Sequence, residues 1–166
     1  MALATRFDLR LVRTLTNPLD LETPTSASTY AAMIDLATGT GAGQADMTWS
    51  DQRTLAGSAS EDLDLAGVLT GPFGNVLTFA RVKGLLIKAA STNTNDVVFS
   101  RTATGIPLLA ASGDALSVKP GGLFLWVAPN AAGVAVTAAT ADTITVANSA
   151  GGTSVTYDVI VIGASA

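Results

Sequence analysis

Apolar and polar residues alternate along most of this chain. Phe7, Leu9 and Leu11 alternate with Asp8 and Arg10, and Ala45, Met47 and Trp49 with Asp46, Thr48 and Ser50. Leu63 and Leu65 alternate with Asp62 and Asp64, and Leu116 and Val118 with Ser117 and Lys119. A period of two sends successive side chains to opposite faces of an extended backbone, so each run reads as a strand with one apolar face. Val97-Val98-Phe99, Leu123 to Val127, Val134 with Val136, Ile144 with Val146, and Val155, Tyr157, Val159 and Val161 continue the series. Turn residues separate them at Thr92-Asn93-Thr94-Asn95, Pro120-Gly121-Gly122, Pro129 to Gly133 and Asn148 to Gly152. Strands repeating every ~8–12 residues between such turns predict an all-β fold: an antiparallel β-sandwich, jelly-roll-like, with at most one short helix.

Four segments refine this picture. Thr29 to Leu36 can form two helical turns capped by Ser28, with Tyr30, Met33, Ile34 and Leu36 as its apolar positions. Val76 to Ala90 is ambiguous, but Gly84 and the β-rich Leu85-Leu86-Ile87 turn the reading to strand. The continuous apolar run Val159-Ile160-Val161-Ile162 predicts a strand covered on both faces, either central or closed by an interface. Asn17 to Ser28, with Pro18 and Pro24, reads as an extended connector. The chain therefore divides into an N-terminal strand and Pro-containing connector, residues 1–28, and one sandwich domain, residues 29–166. The strand at Thr5 to Arg13 can pair within its own sandwich or reach a neighbouring subunit; the first is the expectation, as for most terminal strands.

Composition narrows the chemistry. The 166 residues suit one domain. Only 13% are charged, against about 25% in an ordinary domain. From Thr102 to Ala166 the charges are Asp114, Lys119, Asp142 and Asp158 alone, so that surface is either a neutral Thr/Ser/Asn/Gly surface or is covered in an assembly. His and Cys are both absent. Their absence removes Ser-His-Asp and Cys-His catalysis, zinc fingers, iron–sulfur clusters and disulfides. A net charge of −4 with nine scattered cations argues against nucleic acid as a partner. No run approaches the ~18 apolar residues of a membrane span, and no apolar leader precedes the first charges, so no membrane and a soluble, non-secreted product are expected.

No motif assigns a catalytic, cofactor or metal site, and no cofactor is expected. Gly39-Thr40-Gly41-Ala42-Gly43-Gln44 lacks both the dinucleotide spacing and a P-loop lysine, and reads as a tight turn. Asp62 and Asp64 share one strand face, short of a calcium shell. Trp49 and Trp126 sit in apolar runs and read as core. Candidate contacts for a partner remain: Phe7, Leu9 and Leu11 on the first strand, Phe73 at the apolar tip of Gly71-Pro72-Phe73-Gly74-Asn75, and Arg81 and Lys83, which with Lys88 make the one basic cluster.

Four blocks carry a resemblance. They are Gly39 to Asp46 running to Trp49, Glu61 to Gly67, Leu77 to Lys83, and Ala141 to Asn148 running into Val155 to Gly163. Together they resemble small structural proteins of tailed bacteriophages, of the cement or decoration type. The resemblance implies a non-enzymatic virion component, a homo-oligomer bound to the outer surface of the major capsid protein. It would be assembled in the bacterial cytoplasm and would stabilise the head. It transfers no functional residues. A receptor- or carbohydrate-binding module of a head fibre or tail is the alternative.

Overall fold

The computed structural model describes residues 2–166 and is built of strands without helix. In chain order these are β1 (Thr5–Thr16), β2 (Thr25–Thr38), β3 (Gln44–Ala45), β4 (Met47–Leu55), β5 (Ser60–Asp64), β6 (Ala66–Thr70) and β7 (Val76–Thr78). Then follow β8 (Arg81–Ala89), β9 (Val97–Ser100), β10 (Ala115–Val118), β11 (Leu123–Val127), β12 (Val134–Ala135), β13 (Thr143–Asn148) and β14 (Val155–Ala164).

The body is an antiparallel β-sandwich. One sheet runs β10-β9-β13-β5; the other runs β11-β8-β14-β4, with β12 also paired to β8. Alternation decides what faces inward. Val82, Leu85, Ile87, Val159 and Val161 from one sheet meet Val97, Phe99, Ile144, Val146 and Leu63 from the other in one buried cluster. Leu69 and Leu77 of the small β6-β7 ribbon close its end. The strand expected over Val76 to Ala90 is present as β7 and β8, and Trp49 is buried in the core, with Trp126 packed against it. The last strand is central, hydrogen-bonded to β4 on one side and β8 on the other.

The N-terminal region departs from expectation. Thr29 to Leu36 is not a helix: it belongs to β2, and residue 28, where the connector was expected to end, lies inside the same strand. Twelve residue pairs join β1 to β2 in one ladder, from Thr5↔Leu36 to Thr16↔Thr25. The pairing explains the correction. Two helical turns give little return on a costly nucleus, whereas the ladder sets Tyr30 opposite Leu11 and Ile34 opposite Phe7. Nor does β1 pair with a sandwich strand; its partner is the segment read as connector and helix. The Pro-containing stretch supplies only the hairpin loop, closed by Asn17 N donating to Pro24 O at 3.1 Å. At ~3.4 Å per residue the hairpin is a ribbon about 40 Å long. Beyond its root it is exposed on both faces.

Candidate functional site

The arm is amphipathic and carries its apolar face uncovered. Opposed residues share a face, so Phe7/Ile34, Leu9/Ala32, Leu11/Tyr30, Arg13/Ser28 and Leu15/Ser26 line one side. The other side holds Arg6/Asp35, Asp8/Met33, Arg10/Ala31 and Val12/Thr29. On the apolar side Leu9 is 52% exposed, Leu11 50%, Tyr30 57% and Leu15 74%. Only the root is covered: Leu3, Phe7 and Ile34 pack with buried Leu36, Ala45 and Ile162.

The root is fastened by several devices. Gly84 gives Phe7 its seat, since a Cβ there would lie 2.6 Å from the Phe7 ring. Arg6 makes a two-point ion pair with Asp35, at 2.7 and 3.1 Å, which holds the Asp35 carboxyl below the usual carboxylate range. The Thr38 hydroxyl donates to Leu3 O at 2.6 Å. The glycine loop behaves as the tight turn expected of it: Gly43 has φ +66°, and Gly41 N donates to Gln44 Oε1 at 2.9 Å.

Lys83 is the largest correction among the candidate contacts. Ile162 pairs with Gly84 and Gly163 with Val82, which leaves Lys83 as the extra residue of a β-bulge. The bulge re-aims its side chain into the protein, where it is fully buried and its ammonium donates to Thr40 O and Gly41 O. Burial first, then the Arg81 charge, pushes its pKa down. Lys83 is therefore a latch on the loop that follows the arm and not a surface contact. Arg81 is half-buried and reaches Ala131 O at 3.4 Å, while Lys88 is exposed on the outer sheet face. The three cations do not form a basic patch.

Phe73 is 77% exposed at its turn. It borders a groove of about 150 Å³ with Leu3, Met47 and Leu77. Phe7, Leu9 and Leu11 lie on one face of the arm, with Phe7 spent on the root and the two leucines open. Phe73 belongs to the sandwich, on the β6-β7 turn.

Sequence reasoning missed the outer face of the larger sheet. Leu125, Leu86 and Ile160 form one cross-strand row on that face, and Leu123, Lys88 and Asp158 the next. Leu125 is 38% exposed and Ile160 36%. The signal was present in Val159 to Ile162, whose two-sided apolar character is satisfied inside by Val159 and Val161 and outside only at Ile162.

At the opposite edge, between β4 and β5, the polar groups are used structurally. Arg53 Nε donates to Glu61 Oε2 at 2.7 Å, and the Tyr157 hydroxyl donates to Glu61 Oε1 at 2.9 Å, tying the two sheets together. Burial, then the bond to Glu61, raises the Tyr157 pKa. Asp62 accepts from the Thr145 hydroxyl at 2.5 Å and Asp64 from Ala66 N at 2.8 Å, so neither carboxylate is left without a donor. In comparisons with known protein families, curated proteins and solved structures, nothing matches this chain.

Proposed function

We propose that this protein is a non-enzymatic structural component of a tailed-phage virion, a cement or decoration protein. It binds the outer surface of the major capsid protein, associates with itself and stabilises the head. One observation carries the reading: a ~40 Å ribbon projects from a well-packed sandwich with Leu9, Leu11, Leu15 and Tyr30 uncovered. Exposed apolar surface of this extent marks an interaction site. A lattice partner fits it, because weak contacts repeated over a shell gain strength through multivalency. The low charge of the C-terminal half supports the same reading. The carbohydrate-binding alternative needs aromatic platforms; Trp49 is 6% exposed and Trp126 packs against the core, which leaves Tyr30 on the arm and Phe73 at its turn as the exposed aromatics.

The test is addition of the purified protein to phage heads that lack decoration, followed by cryo-electron microscopy. Density on the outside of the head is the expected result. Density confined to the tail, or no binding, would remove the proposal.

A further inference from the structure

Two of the apolar surfaces left open in this chain adjoin one another. The first is the arm face with Leu9, Leu11, Leu15 and Tyr30. The second is the outer sheet row of Leu125, Leu86 and Ile160, extended by Leu123, which is 57% exposed. They adjoin at the arm root, where Phe7 over Gly84 borders a groove of about 220 Å³ that runs on to Leu86 and Ile160. The arm of the same chain does not close the row: Leu9 and Ile160 are both exposed while Phe7 is seated.

We propose that the arm of one copy lays its apolar face on the outer sheet face of a second copy. This rests on the self-association in the reading above and not on the virion location. The arm's own root shows the chemistry of the contact, for Phe7 and Ile34 of that same arm face already pack on Ile162 of the sheet. The next residues on the arm face would do the same, on the next row of the sheet, in a neighbour.

Area supports a second copy. Leu9, Leu11, Leu15 and Tyr30 on the arm and Leu123, Leu125 and Ile160 on the sheet are each more than a third exposed, so both partners bring the apolar area that the core of a standard interface of ~1,600 Å² needs. Charge agrees. Arg13 is the one cation on the arm's apolar face and makes no ion pair among the described residues. Asp158 lies in the row beside Ile160, two residues away on the same face, opposite Lys88 and accepting from Gln52 Nε2 at 2.8 Å, so an incoming cation shares its carboxylate with both. A neighbour's arm with Leu11 or Leu15 against Ile160 brings its Arg13 within reach of Asp158, because both spacings are two strand residues, about 6.8 Å. The contact is heterologous, arm to sheet, so each copy both gives and receives, and closure makes a ring.

Sedimentation of the full chain with two single variants tests this. Leu11→Asp spoils the arm and leaves the sheet row intact; Leu125→Asp does the reverse. The wild type is expected to associate, and each variant alone to associate about 100-fold more weakly, with melting temperatures near that of the wild type as the check that both fold. Mixed in equal amounts, the two variants should form a one-to-one dimer, since an intact arm from one meets an intact row from the other. A wild type that stays monomeric at about 100 μM, variants that associate normally, or a mixture that stays monomeric would each overturn the proposal. Normal association of Leu125→Asp with loss of association in Leu11→Asp would point instead to arm-on-arm pairing. Normal self-association without binding to heads would remove the virion reading and leave this contact standing.

Discussion

The arm and the last strand of the sandwich are written in the same alternation and meet opposite fates. In β14, Val155, Tyr157, Val159 and Val161 are all fully buried between two neighbouring strands and an opposing sheet. In β1, Phe7 is covered, while Leu9, Leu11 and Leu15 point away from any core the chain provides. Amphipathic alternation states that a strand has an apolar face needing cover. It does not state whether that cover lies in the same molecule. Local pairing was enough to form β1 and β2 as a ladder, but a two-stranded ribbon alone is marginal in water, so its lasting order depends on the root and on whatever seats its face.

The sharpest break of this comparison is a carboxylate placed at matched positions in the two regions. Val161→Asp would bury an unpaired charge and cost several kcal/mol, giving insoluble protein or a collapse of thermal melting. Leu11→Asp, made on an equally regular strand, should leave the melting of the isolated chain within ~0.5 kcal/mol of wild type. Similar losses at both positions would mean that the arm belongs to the folded body.

A change at the boundary between the regions should give an intermediate effect. Phe7→Ala empties the seat over Gly84 and should cost about 1–3 kcal/mol. Because Arg10 and Arg13 lie on the arm, limited trypsin treatment should cut there faster in this variant. An unchanged cleavage rate would show that Phe7 does not hold the arm.

Within the sandwich, Tyr157→Phe removes the hydroxyl that donates to Glu61 and should cost about 1 kcal/mol, read by denaturant unfolding. The sign with pH follows from the raised pKa. The folded state holds the phenol proton more tightly than the unfolded chain, so this contribution is complete below pH ~10 and is lost as pH rises beyond it. Wild type should therefore weaken above that pH more steeply than Tyr157→Phe; parallel curves would show that the burial and the Glu61 bond do not hold the phenol proton.

The sandwich was largely legible because its strands combine three agreeing signals: alternation, β-branched and aromatic residues, and Gly/Asn/Pro turns. Ile144, Val146, Val159 and Val161 all face inward as their period requires. The arm was legible as a strand but not as a hairpin. Thr25 to Leu36 mixes small polar residues with apolar positions that fit a short helix as well as a strand, and only pairing with β1 decides between them. Lys83 was misread for a different reason. Alternation from Arg81 assigns it a side, and the bulge at Gly163 changes that side, an event without a local sequence mark beyond the neighbouring glycine. The outer row of Leu125, Leu86 and Ile160 could not be assembled from sequence, because it draws one residue from each of three strands far apart in the chain.

The central claim is that the sandwich folds by itself and the arm serves contacts between molecules. Its most direct test shortens the arm where Asp8 faces Met33, replacing residues 9–32 with an Asn-Gly turn. Thermal melting and sedimentation are then measured on the same sample. The account predicts melting within a few degrees of the full chain, a shift worth ~1 kcal/mol or less, together with a monomer at concentrations where the full chain associates. A large fall in melting temperature, or an unchanged assembly size, would contradict it.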